Sequence, residues 1–206
     1  MIPAPEKHPA YFQHIMCDIE TTGLKPDRNH IIQVCAVRFN LQTQEYDPNL
    51  FEVCLDPMTA SFRSFDPDTM TWWNDPERQL ILEKIEAAKI DTRLALRAFA
   101  NWLNTGSRLV FWGNRNGFDY MFLQSYFADF NVSFPFNYWD SKDLLSYTEG
   151  LCEGAGVPFI KKNSLEFVGT KHNAKDDTLH QLKYLLHVEQ VIKEKKDANN
   201  NTTTSP

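Results

Sequence analysis

Three apolar, β-branched runs separated by turn signals constrain the fold of this chain more than any other feature: Gln13–Ile19 (QHIMCDI), Ile31–Phe39 (IIQVCAVRF) and Leu50–Leu55 (LFEVCL). Thr22-Gly23, Pro26-Asp27 and Asp47-Pro48-Asn49 punctuate them. Such spacing predicts three consecutive strands, paired antiparallel. The pattern then changes period. Asp66-Pro67-Asp68 and Asp75-Pro76-Glu77 each put proline in a first helical turn with acids at its positive end. Leu96, Phe99, Ala100 and Leu103 recur at helical spacing, with Asp91 as an upstream cap and Gly106 as a stop. A fourth strand is expected at Arg108–Trp112, a helix at Gly117–Ala128 and a short strand near Tyr138–Asp140. A helix around Ser141–Thr148 and a last helix from Lys175 to Glu194, with Leu179, Leu182 and Leu186 on one face, complete the pattern. This order describes one α/β domain over residues 13–194: a mixed five-stranded sheet, three antiparallel strands first, flanked by helices. Residues 1–12 form a leading segment. Residues 195–206 hold little apolar surface to bury and are expected to be disordered.

The first strand carries an anomaly. Asp18 and Glu20 stand at i and i+2, so on a strand they project from one face. Two acids on a central strand repel each other and lose hydration unless a cation compensates. A strand that ends at Asp18 would leave both solvated, which is the plain structural reading. Asp119 falls in the first turn of the helix after strand four, and Asp176 and Asp177 open the last helix just after His172. Each of these acids has a simple explanation as a helix cap. Together they gather at element ends. Carboxylates prefer hard cations such as Mg²⁺ or Mn²⁺, and a pair of ions clamps both oxygens of a phosphoryl displacement. A histidine titrating near neutrality can take a proton from the attacking water. The reaction class expected is metal-assisted phosphodiester hydrolysis.

Charge and cysteines agree with that reading. Formal net charge is −6, a poor balance for passive duplex binding, and two divalent cations would move it to −2. Cys17, Cys35, Cys54 and Cys152 show no metal-ligand spacing and read as buried, reduced thiols. No apolar run is long enough to cross a bilayer, and the opening lacks a signal-peptide core, so a cytoplasmic location is expected.

The segments Cys17-Asp18-Ile19-Glu20-Thr21-Thr22-Gly23-Leu24, Gly113–Asp119 (GNRNGFD) and His172–Asp177 (HNAKDD) resemble, in order, the three motifs of the DEDDh exonucleases. The resemblance spans residues 14–190 or so and implies a ribonuclease-H-like fold, 3′–5′ exonuclease chemistry and two Mg²⁺ or Mn²⁺ ions. It makes Asp18 the ligand shared by both ions, Glu20 and Asp177 ligands of the nucleophile-side ion, and Asp119 the ligand on the leaving-group side. His172 matches the general base. Asp177 is preferred to Asp176 because the family spacing puts the acid five residues after the histidine. Thr21, Thr22 and Leu24 match positions that hold the terminal nucleotide in relatives.

Asp66–Trp73 (DPDTMTWW) and Tyr138–Asp143 (YWDSKD) resemble elements of a small phage and bacterial subgroup, with Lys142 where that group usually has arginine. This leans the expected substrate, the 3′ ends of single-stranded DNA or RNA, slightly towards DNA, and admits a phage-encoded enzyme acting in a host cell. Phe118 and Trp112 could stack on a base or simply pack in the core. Of the adjacent Trp72 and Trp73, one is expected in the core and one half-exposed. His180 and His187 have the wrong spacing for a role in the site. The oligomeric state, monomer or homodimer, stays open. The competing class is a silent nucleic-acid- or partner-binding protein on the same fold, against which all five metal and base positions hold competent residue types. An Asp-nucleophile phosphatase is disfavoured because its DxDxT pattern would need aspartate at Glu20.

Overall fold

A computed structural model describes residues 7–202, with side chains through 199. In chain order the strands are β1 (His14–Thr21), β2 (Ile31–Asn40), β3 (Glu45–Tyr46), β4 (Phe51–Asp56), β5 (Lys89–Asp91), β6 (Val110–Gly113) and β7 (Ser141–Asp143). The helices are α1 (Pro67–Trp73), α2 (Pro76–Ala88), α3 (Thr92–Leu103), α4 (Gly117–Asp129), α5 (Leu144–Gly154) and α6 (Ala174–Thr202). Across the sheet the order is β5-β4-β2-β1-β6-β7, with β3 paired to β2. The antiparallel ladder of β1, β2 and β4 is the expected one. Strand β6 joins β1 in parallel, and β7 joins β6 in parallel. The sheet is therefore mixed, as expected, and β1 lies at its centre.

Four local expectations are corrected. The sheet has seven strands among the described residues, not five, because β3 and β5 span two and three residues, too few to show a period. Tyr138–Asp140 is a 3₁₀ turn rather than a strand: Asp140 accepts from the amide of Asn137 at 3.3 Å and from its Nδ2 at 3.1 Å, closing the turn. The strand follows at Ser141–Asp143, and α5 starts only at Leu144, where Asp143 caps it by accepting from Ser146 N at 2.8 Å. Helix α6 continues beyond Glu194 to Thr202, so residues 195–202 are ordered in a helix rather than disordered. Lys193-Glu194-Lys195-Lys196 are good helix formers, and the Gln190–Glu194 bond at 2.7 Å bridges one turn. Residues 1–6 and 203–206 lie outside the described residues.

The two faces of β1 read alternately. Ile15, Cys17 and Ile19 pack with Leu96, Phe99, Phe122 and Tyr126 of α3 and α4. Met16 packs on the other face with Leu144, Leu182, Leu185 and Val188 of α5 and α6. Asp18 and Glu20 continue the Met16 face, towards α6. The β1–β2 register shifts between Glu20 and Thr21, a local irregularity of the kind that re-aims side chains at the edge of a site. All four cysteines are buried and free. Among the described residues no helix is long and apolar enough to cross a membrane.

Candidate active site

Three elements deliver the acids to one end of β1. Strand β1 presents Asp18 and Glu20. Strand β6 ends at Gly113, and the first turn of α4 brings in Asp119, which is buried. A Cβ at Gly113 would sit 2.9 Å from Asp119 Oδ2, so glycine there is what lets this carboxylate approach the sheet. Helix α6 crosses behind β1 and β2, packed through its apolar face and fastened by polar bonds. Ala174 N donates to Gln33 Oε1 at 3.0 Å, Thr178 Oγ1 donates to Cys35 O at 3.3 Å, and Gln181 Nε2 donates to Asp18 Oδ1 at 2.6 Å. This brings in Asp177.

Asp18, Glu20, Asp119, His172 and Asp177 line one cleft of about 390 Å³, together with Phe118, Asn114, Arg115, Lys162 and Gln181. Glu20, His172 and Asp177 offer ligand atoms within 4.8 Å of one another. His172 N donates to Asp177 Oδ2 at 2.7 Å, which holds base and acid together in a turn where His172 has φ +64°. The neighbouring acid has a different task. Asp176 Oδ2 accepts from Thr170 N at 2.7 Å and ties down the loop before α6.

The electrostatics are those of an acid cluster with no direct ion pair among the described residues. Burial, then the charge of Asp177, pushes Asp18 up to about 7, against the Gln181 hydrogen bond and the Lys162 charge. Glu20 and Asp119 are held well above the carboxylate range, by burial first and then by the charge of Asp18. Asp177 is raised by burial, partly offset by the His172 amide. Burial lowers His172 below the ordinary imidazole value, opposed by Asp177 and aided by Arg78 and Lys171. Among the described residues none of the four acids forms an ion pair. Four hard oxygen-donor groups, Asp119 buried and the other three half-buried, mutually repelling and without an ion pair, fit divalent cations.

A second cleft of about 580 Å³ opens beside the first and shares Ile19, Glu20 and Phe118 with it. Most of its surface is apolar, with Leu24 74 % exposed at the rim and Trp72 and Phe118 in the wall, and Lys25, Asp66 and Asp68 add charge. Trp73 is the core member of the pair, with its Nε1 donating to Thr21 O at 2.9 Å. Trp72 meets His172 edge-on at 4.7 Å and carries Arg78 over its ring at 4.3 Å. Thr21 lines this cleft, but Thr22 does not: its hydroxyl accepts from His30 N at 3.0 Å, inside the structure. Trp112 is core, donating to His14 Nδ1 at 3.0 Å. His180 is buried against Phe167, and His187 is exposed. Lys142 Nζ lies 5.6 Å from the Trp112 ring. Gln181, Arg115 and Lys162 were not singled out from sequence. Gln181 had a faint signal, one helical turn after Asp177; the other two belong to a turn and a loop with no period at all.

A mixed sheet with an acidic cleft at the carboxyl end of its central strand is the arrangement expected of a ribonuclease-H-like fold. Solved structures share the fold: the nuclease domain of 3′hExo, a DEDDh family member bound to rAMP, matches with a TM-score of 0.61 over 87% of this chain and 93% of that one, at 16% identity. Cell-death related nuclease 4 (CRN-4) matches with a TM-score of 0.64 at 16% identity over 90% of this chain, which spans 66% of that protein. Exonuclease I in complex with a dA16 oligonucleotide, from E. coli, matches with a TM-score of 0.67 at 15% identity; 90% of this chain covers 42% of it. Residues 13–188 match the Rv2179c-like family, described as a 3′–5′ exoribonuclease Rv2179c-like domain, and the chain belongs to that family. It is a 3′–5′ exonuclease, a hydrolase acting on nucleic acid. Ribonuclease T of Marinobacter nauticus is 27% identical over 177 residues, 74% of each chain. Oligoribonuclease of Photorhabdus laumondii is 28% identical over 137 residues, 63% of this chain and 71% of its own.

Proposed function

We propose that this protein is a metal-dependent exonuclease that removes nucleoside 5′-monophosphates from the 3′ end of single-stranded RNA. The observation that carries the metal dependence is the set of four carboxylates gathered in one cleft beside His172, one buried and three half-buried, none in an ion pair among the described residues. Asp18, Glu20, Asp119 and Asp177 would hold two Mg²⁺ or Mn²⁺ ions. When bound, such ions supply charge stabilisation at the attacking and departing oxygens.

The chain's own groups do the rest. The terminal nucleotide lies in the apolar cleft, between Leu24 and Trp72, with Phe118 and Thr21 against the sugar side. His172 takes a proton from the attacking water, and its depressed basicity keeps the imidazole neutral and competent at neutral pH. The P–O3′ bond to the upstream nucleotide breaks, and solvent returns a proton to the departing 3′ oxygen. Sequence motifs alone leaned towards DNA. The family description and the names ribonuclease T and oligoribonuclease support RNA instead.

The test uses 5′-labelled single strands of RNA and DNA of one sequence with Mn²⁺, Mg²⁺ or EDTA. The expected result is a ladder shortening from the 3′ end only with metal, faster on RNA. Faster DNA shortening would overturn the substrate assignment. Equal binding of strands in chelator and metal, with no shortening, would overturn catalysis in favour of a binding module.

A further inference from the structure

Two cations share the acidic cleft, and neither is used by the chain. Lys162 and Arg115 line it with the four acids, and neither side chain forms an ion pair or a hydrogen bond to a protein group among the described residues. Lys162 is held in place from behind. Its short 3₁₀ turn is closed by Leu165 N donating to Lys162 O at 3.3 Å. The loop is tied to α6 by Tyr184 Oη donating to Ile160 O at 2.7 Å and by the Phe167 ring against His180 at 4.8 Å. The ammonium acts electrostatically on Asp18, Asp119 and Asp177 without pairing with any of them.

Arg115 stands in the turn between β6 and α4 with φ +60°, a conformation that costs a non-glycine residue energy. That turn is pinned by Asn116 N donating to Asp143 Oδ2 at 2.9 Å and Phe118 N donating to Arg115 O at 2.9 Å. Of the four described non-glycine residues with positive φ, Arg115 and His172 both line this cleft, so the strain collects where the chemistry is.

Charge arithmetic gives the two cations a purpose. Fully ionised, as metal ligation requires, the four carboxylates contribute −4 and the two cations +2, so the cleft that receives metal is −2. With two divalent ions it becomes +2 and draws in phosphodiester. Resting on the exonuclease reading above, we propose that Lys162 ion-pairs with the scissile phosphate and that Arg115, exposed at the mouth, grips the next phosphate upstream. Lysine serves the first as a compact point charge; arginine serves the second with a fork matched to phosphate oxygens.

The test compares wild type, Lys162→Ala, Lys162→Arg and Arg115→Asn at saturating Mn²⁺, since asparagine tolerates positive φ. Two substrates separate the contacts: the 4-nitrophenyl ester of a nucleoside 5′-monophosphate, which has one phosphodiester, and a single-stranded oligoribonucleotide. Lys162→Ala is expected to lower kcat/KM roughly 10- to 100-fold on both, with partial recovery in Lys162→Arg. Arg115→Asn is expected to lower it on the oligonucleotide alone. Anisotropy binding of the oligonucleotide across a salt series adds a reading independent of turnover: each loss of charge should flatten the log–log salt slope by about 0.7. Wild-type rates for Lys162→Ala on the small ester, equal effects of Arg115→Asn on both substrates, or an unchanged salt slope would overturn the corresponding contact. A wild type that binds the oligonucleotide but hydrolyses neither substrate would overturn the exonuclease reading, while the salt slopes would still decide the two contacts.

Discussion

The backbone amide of His172 donates to Oδ2 of Asp177 at 2.7 Å, so one carboxylate both faces the cleft and fixes the histidine's turn. Its neighbour Asp176 instead accepts from Thr170 N at 2.7 Å, beside Gly169. Asp177→Asn should therefore lower kcat by at least about 100-fold, in keeping with loss of a metal ligand and a base anchor together. Asp176→Asn should stay within roughly 10-fold of wild type. Parallel turnover assays in Mn²⁺ check this, and equal losses would sink the choice between the two acids.

Gln181 orients Asp18 from α6 through a 2.6 Å hydrogen bond, although nothing in the reaction touches it. Gln181→Leu should weaken metal activation roughly 10- to 100-fold, the usual effect of removing a group that holds a ligand. Titrating activity against Mn²⁺ separates this from a loss of chemistry: the half-saturating concentration should rise while the plateau rate changes little.

Metal-free stability should fall as pH rises. Burial lifts Asp18 from its ordinary 3.8 to about 7, and Glu20 and Asp119 also move up, so the folded chain binds more protons than the unfolded chain between these values. Stability then declines from about pH 4 through pH 7 and beyond as these acids are forced to ionise. Divalent metal should reverse this, with the melting temperature in Mg²⁺ exceeding that in EDTA by an amount that grows over the same range. Thermal melts from pH 5 to 8 test it, and a gap independent of pH would contradict the assignment of the site to a cation.

Trp72 and Trp73 should separate function from stability. Trp73 is fully buried and bonded to Thr21 O, so Trp73→Ala should cost about 3–5 kcal/mol of stability. Trp72 is 37 % exposed, and Trp72→Ala should leave the fold within about 1 kcal/mol of wild type. Its loss of a stacking wall should instead lower kcat/KM roughly 5- to 150-fold, since base stacking is worth ~1–3 kcal/mol. Urea unfolding and turnover on one oligonucleotide decide between them.

Gly113 offers a smaller and sharper probe. A methyl group there meets Asp119 Oδ2 at 2.9 Å, so Gly113→Ala should shift that carboxylate and cut activity more than stability. Metal titration should show weaker activation, and wild-type activation would show that Asp119 has room to adjust.

Much of the fold was legible because its signals are local. Apolar, β-branched runs bounded by turn residues marked β1, β2 and β4, and proline with acids marked the starts of α1 and α2. The short β3 and β5 were illegible and β7 was placed three residues early, since the pairing of two or three residues is set by neighbours and not by their own pattern. The end of α6 was misjudged for a related reason: composition reported that residues 195–202 bury little, but a helix already nucleated by packing propagates at low cost through good helix formers.

The acids that share the cleft were visible in the chain itself, because a carboxylate pair on a central strand and acids at the starts of two helices are each sequence-local facts. That Asp177, rather than Asp176, turns into the cleft depends on which hydrogen bond each closes with the loop before α6. That Gln181 holds Asp18, that Trp72 walls His172, and that Arg115 and Lys162 face the same acids depends on α6, the α1 helix and two loops converging on one end of β1. No residue spacing encodes those meetings. They arise because the apolar faces of β1 and α6 can be buried together in only one register, and that register carries the polar side chains with it.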